Sequence, residues 1–205
     1  MRNAIVVVTA VLMLAIAGCG SSNPLGGGEI SGDLKTIAIG SADFTESKII
    51  AEIYAHYVVT SVATFELESP DLDEWRRRFD AITGAGLPFV VTERDGAVAG
   101  YAYCAPWKTR PAYRATAEDS VYVAPWAVGT GCGTELLGTL LEHSRAAGLR
   151  EVIAVIADSG DPASVRLHRR FGFRDAGRLE RVGYKHERWI DTVLLQWSAP
   201  RQAGQ

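Results

Sequence analysis

The chain has 205 residues, enough for one sizeable domain with an extension. With 47% apolar and 22% charged residues, it lies among globular chains and outside the disordered and fibrous classes. A net charge of −3 removes any general electrostatic ground for a nucleic-acid partner, which needs a basic face.

Arg2 is the only charged side chain before Glu29, and an apolar run from Ala4 to Ala17 lies between them. That run is too short to span a membrane, which takes about 20 residues, and it fits the apolar core of a secretory signal. It ends Leu14-Ala15-Ile16-Ala17-Gly18-Cys19, and small residues before a cysteine resemble the lipobox of bacterial lipoproteins. The resemblance implies a lipid anchor on Cys19. The alternative is a buried helix with an incidental cysteine. Residues 20–33 open with a Gly/Ser-rich stretch and read as a tether. Signal, tether and the segment Leu34–Ser47 together resemble the start of an osmoprotectant solute-binding lipoprotein. No length for that family's two lobes follows.

Lys35–Gly40 alternates as a strand. Asp43 with Glu46 marks a helix start, and Ile49, Ile50, Ile53, Tyr54 and Tyr57 repeat at helical spacing. A second helix opens at Asp71, with Glu74 three residues on, and carries an apolar stripe of Leu72, Trp75, Phe79 and Ile82. Gly84 and Gly86 end it. Phe89–Thr92 and Ala97–Tyr103 read as a hairpin around Asp95-Gly96. Cys104 beside it reads as a small apolar residue. With Cys19 and Cys132 it makes no disulfide framework, and no Cys/His spacing suggests a metal site.

A strand over Ala117–Val123 leads into a glycine turn and then a helix with Leu136, Leu137, Leu140 and Leu141 on one face. Val152–Ile156 is a continuous apolar run, expected as a central strand covered on both faces. A short helix runs from Asp161 or Ser164 through His168 to Phe171. Arg178–Gly183 and Thr192–Trp197 close the pattern as strands. The order β α α β β β α β α β β predicts an α/β (α+β) fold: a mixed sheet with helices on both sides.

Gly129-Thr130-Gly131-Cys132-Gly133 sits between a strand and a helix. Glycines permit a tight turn with several N–H groups turned inward, and the helix adds its positive end. Such a turn suits a phosphate or diphosphate. No Lys follows Gly133, so it is not a Walker A loop. Thr134 and Leu136 occupy the places that a dinucleotide fingerprint gives to Gly or Ala. A ligand-free connection is the remaining alternative.

Val121-Tyr122-Val123-Ala124-Pro125, the glycines at 129, 131 and 133, and the Leu-rich helix resemble the acetyl-CoA motif of the GNAT superfamily. Ser164-Val165-Arg166-Leu167-His168-Arg169-Arg170-Phe171-Gly172-Phe173 matches its next helix. Ala63–Glu66, Tyr101–Tyr103 with Pro106-Trp107, Thr116–Ser120 and Val182–His186 with Trp189 and Asp191 resemble its phosphinothricin acetyltransferase branch.

The resemblance covers about residues 50–198 and implies a twisted, mostly antiparallel sheet. It also implies acetyl-CoA as co-substrate, a small-molecule amine such as phosphinothricin or methionine sulfone, and a homodimer. It assigns Glu118 as base. His168 stands where many members place a tyrosine that protonates the departing thiolate, a task open to an imidazolium, with a structural histidine as the alternative. The resemblance assigns Val121, Tyr122, Val123, Val128, Gly129, Thr130, Gly131, Cys132, Gly133, Thr134, Asp161 and Ser164 to the coenzyme. Phe65, Tyr101, Trp107, Arg110, Arg114 and His186 are the substrate-side candidates, with Lys108 beside them.

The chain departs from that pattern in places. Val128 and Thr130 stand where the superfamily often has Gln or Arg, which predicts weaker CoA affinity. Asp161 replaces Asn, Tyr184 replaces Phe, and Glu187 replaces Gly. The branch's own first strand is absent, and Lys35–Gly40 is expected to fill the vacant sheet edge. Glu118 suits base duty, because burial there would raise its pKa. Asp119 alternates to the opposite face and is the weaker candidate. The domain reading is 1–19 signal, 20–33 tether, 34–198 acetyltransferase and 199–205 tail. An active acetyltransferase implies the cytoplasm, and a processed lipobox the membrane. The alternatives are a solute-binding lipoprotein fragment and a catalytically weak CoA-binding module.

Overall fold

The computed structural model describes residues 34–38 and 44–200. The signal, the whole tether, the Asp43 cap and the end of the tail lie outside them. Among these residues eleven α-helices and strands follow in order: β1 (Leu34–Ala38), α1 (Phe44–Thr60), α2 (Leu72–Gly84), β2 (Phe89–Arg94), β3 (Ala97–Pro106), β4 (Thr116–Val123), α3 (Cys132–Ala146), β5 (Glu151–Ala157), α4 (Ala163–Arg170), β6 (Arg174–Lys185) and β7 (Arg188–Ser198). This is the element order expected from periodicity.

The local chemistry accounts for the boundaries. The Asp71 carboxylate accepts the Glu74 N–H at 2.8 Å and caps α2. Asp95 and Gly96, with φ of 54° and 76°, form the tight β2–β3 turn, whose twist matches the flanking strands. Asp71 and Asp95-Gly96 were both legible in sequence.

The described strands form one sheet in the order β1-β2-β3-β4-β5-β7-β6. Every neighbour pair is antiparallel except β4–β5. β1 occupies the edge beside β2, where the Thr36 hydroxyl also donates to Thr92 Oγ1 at 2.9 Å. One face is an aromatic core in which Tyr54, Trp75, Phe79, Phe89 and Tyr101 pack between α1, α2 and the sheet. The other face packs Leu136, Leu137 and Leu140 of α3 on Val90, Ala102, Cys104 and Val152. Burying each of these leucines contributes about 1.5–3 kcal/mol. Cys104 packs as expected, with Sγ 3.3 Å from Ser144 Oγ.

β5 departs from expectation. Val152 and Ala154 are buried, but Val155 is 36% exposed. The apolar run is not covered on both faces, because β4 and β5 part company. Their pairing lasts four residue pairs, from Thr116↔Glu151 to Asp119↔Ala154. Beyond it, β4 continues to Val123 and β5 to Ala157 with no mutual bonds. A wedge opens between them.

Candidate active site

The wedge widens into a cavity of about 1110 Å³. Its walls are the inner edges of β4 and β5, the glycine turn, the start of α4 and the segment 61–66 after α1.

At one end lies the glycine turn. Gly129 and Gly131 have φ of 80° and 94°, which a Cβ would strain. Gly131 caps α3: its carbonyl accepts the Thr134 and Glu135 N–H groups at 2.9 and 3.1 Å. Thr130 folds inward, its hydroxyl donating to the Ala127 carbonyl at 2.6 Å. The N–H groups of Val128, Gly129 and Gly131 enter none of these turn bonds. Gly133 serves packing, since a Cβ there would sit 3.3 Å from the Leu167 side chain on α4. Asp161 and Ser164 also line the cavity, and the Asp161 carboxylate accepts the Ala163 N–H at 2.9 Å. Thr130 and the fully buried Cys132 do not line it.

Glu118 lines the cavity where the strands part. Burial pushes its carboxyl above the usual carboxylate range, and the neighbouring Asp119 adds to the effect. Asp119, the weaker candidate in sequence, is buried and lies 2.8 Å from His168 Nε2. His168 Nδ1 is 2.7 Å from the Ser164 carbonyl, which only accepts, so this nitrogen carries the proton. Burial would lower the His168 pKa, but the Asp119 carboxylate and the Ser164 carbonyl outweigh it and hold it above its ordinary value. With both nitrogens engaged, the ring as placed has no free N–H for a departing thiolate. His168 also lines the cavity.

The substrate-side candidates separate. Phe65 lines the cavity and is 39% exposed. Tyr101 is 0% exposed, stacked on Phe89 and edge-on to Trp75, so it is a core residue rather than a substrate contact. Trp107, Lys108, Arg110 and Arg114 do not line the cavity either. They lie in the connection into Thr116, the paired end of β4, whereas the wedge opens at its far end. Lys108 sits instead over the Trp107 and Tyr113 rings. His186 occupies the β6–β7 turn, with Nε2 3.3 Å from the Ser61 carbonyl. Beside it, Lys185 Nζ donates to the Thr64 carbonyl at 2.8 Å, and a Cβ at Gly183 would run into the Phe65 ring. The hairpin therefore supports segment 61–66 from behind.

Sequence reading missed Tyr54, Tyr57, Tyr103 and Glu66, all on the cavity wall. The Tyr57 hydroxyl donates to the Val123 carbonyl at 2.6 Å, and Tyr54 and Thr64 share a 2.7 Å hydroxyl contact. The available signal was two tyrosines on an otherwise aliphatic helical stripe, since a buried tyrosine hydroxyl usually seeks a partner. Glu66 is paired with Arg78 at 2.7 Å. Among the described residues, no group of three or more His, Cys, Asp or Glu could hold a metal ion.

A parallel strand pair that parts around a cavity, with a glycine turn and helix start at its mouth, is the frame of an acyl-CoA-dependent acetyltransferase. Residues 50–173 match the Acetyltransferase (GNAT) family, and the chain belongs to that family. The chain is 50% identical over 155 residues to a phosphinothricin N-acetyltransferase of Alcaligenes faecalis, covering 76% of this chain and 78% of the relative. It is 35% identical to an L-methionine sulfoximine/L-methionine sulfone acetyltransferase of Salmonella typhimurium, covering 80% and 95%. In structure it resembles a GNAT superfamily phosphinothricin acetyltransferase from Sinorhizobium meliloti in complex with AcCoA. That match has a TM-score of 0.75 and 37% identity and covers 85% of this chain and 95% of the other. These relatives lend no support to the lipoprotein reading of the N-terminus.

Proposed function

We propose that the chain transfers an acetyl group from acetyl-CoA to the amino group of a small amino-acid-like substrate of the phosphinothricin or methionine sulfone type. The wedge is the observation that carries this reading, because it brings free strand edges, a glycine turn and a carboxylate of raised pKa into one cavity. The residues suit the co-substrate. The free N–H groups at 128, 129 and 131 and the α3 start suit a diphosphate. The unpaired inner edges of Ser120–Val123 and Val155–Ala157 suit an extended arm carrying amides.

Glu118 accepts the proton as the amine nitrogen attacks the thioester carbonyl. The C–N bond forms, the C–S bond breaks and the thiolate leaves. Backbone N–H groups on the open edge of β4 stabilise the developing oxyanion. Tyr57, bonded to the Val123 carbonyl, fixes that edge. The Asp119–His168 pair orders α4 against β4 rather than delivering a proton to sulfur.

The catalytic unit is 34–198, preceded by the segments 1–19 and 20–33. On this reading the working enzyme is cytoplasmic, where acetyl-CoA is found, and Cys19 carries no lipid in it. No helix among the described residues is long and apolar enough to cross a membrane. A homodimer through β6 fits that edge strand, which is exposed from Arg174 to Val182 and flanked by the exposed Tyr184 and Trp189. Sedimentation at two concentrations tests the dimer.

The decisive test of the function is thiol release from acetyl-CoA with methionine sulfone as acceptor. Amine-dependent release is expected. Tight CoA binding without release would favour the non-catalytic module instead, and absence of both would overturn the reading.

A further inference from the structure

The glycine turn contributes no charged side chain to the cavity mouth: Val128 and Thr130 are neutral, and Thr130 turns inward. A charge lies behind it. Arg94, at the end of β2, is only 5% exposed, and its Nη1 donates to the Thr130 carbonyl at 3.0 Å across 36 residues of sequence. We infer that Arg94 is a positioning residue for the coenzyme diphosphate, aiming the amides of the glycine turn and adding positive charge beneath them.

The argument begins with the peptide plane. In a trans peptide the carbonyl and the following N–H point in opposite directions. Drawing the Thr130 carbonyl onto Arg94 therefore turns the Gly131 N–H the other way. Gly131 lines the cavity, and its N–H enters no turn bond. Glycine alone would not fix this direction, because Gly131, at φ 94°, has access to most of backbone space. The guanidinium fixes it.

Charge points the same way. Arg94 is tied to the residue before the α3 N-cap, so its charge stands on the same side as the positive end of the helix and adds to it. An anion in the cavity mouth meets the field of the guanidinium, the helix start and the free amides together. Arginine suits this place better than lysine, being always charged and less strongly hydrated.

The inference rests on the cavity being the acetyl-CoA site. The test compares two donors, acetyl-CoA and S-acetylpantetheine, which lacks the diphosphate and nucleotide. Arg94→Met should raise KM for acetyl-CoA about tenfold, the scale of one helix-terminus charge contact. KM for S-acetylpantetheine and kcat should stay near wild type, and Arg94→Lys should recover part of the loss. A parallel rise for both donors would reduce Arg94 to a scaffold residue and overturn the inference, as would no rise for either. If Arg94→Met does not fold, Arg94→Gln is titrated calorimetrically with CoA and with pantetheine; an unchanged ratio of affinities overturns the inference there too. A wild type that releases no thiol fails the proposed function. A working wild type with an unaltered ratio in the variant fails Arg94 alone.

Discussion

The two ends of the cavity are built from different materials. The end proposed for the coenzyme is mostly main chain: glycine-turn amides, a helix start and two strand edges. The end proposed for the amine is mostly side chain: Tyr54, Tyr57, Phe65, Glu66, Tyr103 and Glu118. A main-chain surface tolerates side-chain change so long as the backbone keeps its shape, which is why Val128 and Thr130 leave the turn intact. A side-chain surface changes with each substitution, so choice of acceptor belongs at that end.

The largest expected effect is at Glu118. Glu118→Gln should lower kcat roughly 10²–10⁴-fold, the usual general-base contribution, and leave KM for acetyl-CoA unchanged. Steady-state kinetics with both substrates varied would break the comparison if the coenzyme KM moved instead. In the wild type, kcat/KM should fall on acidification at a pH above the ordinary carboxylate value of 4.5, because burial raises the Glu118 pKa and protonation removes the base.

Next in size is the pair beneath the wedge. The Asp119 and His168 side chains are 1% and 5% exposed, so Asp119→Ala strands a buried imidazole. Chemical denaturation should show a loss of about 3–5 kcal/mol. The sign with pH follows from the raised His168 value: its stabilisation is complete below the unfolded pKa near 6.5 and is lost as pH rises through the higher folded value. The wild-type advantage over a His168→Gln variant should therefore shrink toward alkaline pH.

A smaller effect is expected at Gly131→Ala. A left-handed backbone costs a non-glycine residue about 1–2 kcal/mol. KM for acetyl-CoA should rise several-fold while KM for the amine holds. A change in the amine KM would show that the two ends are not separable. Smallest is the contrast between Phe65→Ala, expected to raise the amine KM, and Arg114→Ala, expected to leave it alone because Arg114 lies off the cavity.

Much of this was legible in sequence where local chemistry decides. Asp71, Asp95-Gly96 and the leucines of α3 each carry their structural reason within a few residues. Glu118, Phe65 and the glycine turn could be placed because the resemblance tied them to a known frame. What could not be read depends on register across the sheet. Tyr101 and Phe65 are both aromatic, and only packing puts one in the core and the other on the cavity. Strand alternation put Asp119 and Glu118 on opposite faces, yet both line the cavity, and it could not show that a helix 49 residues on delivers His168 to Asp119. Val152–Ile156 read as a fully covered strand, because an apolar run cannot announce that its neighbour will diverge. Arg94 gave no local sign of facing Thr130.

The parting of β4 from β5 has one more consequence. Sheets ordinarily keep their unpaired rims at the outside, where they risk recruiting other chains. Here a rim is turned inward, onto the cavity between β4 and β5. A molecule with amides along an extended arm is to this sheet a missing rung. Its arrival should knit the divided halves together, and hydrogen exchange at Ser120–Val123 and Val155–Ala157 should slow when it binds.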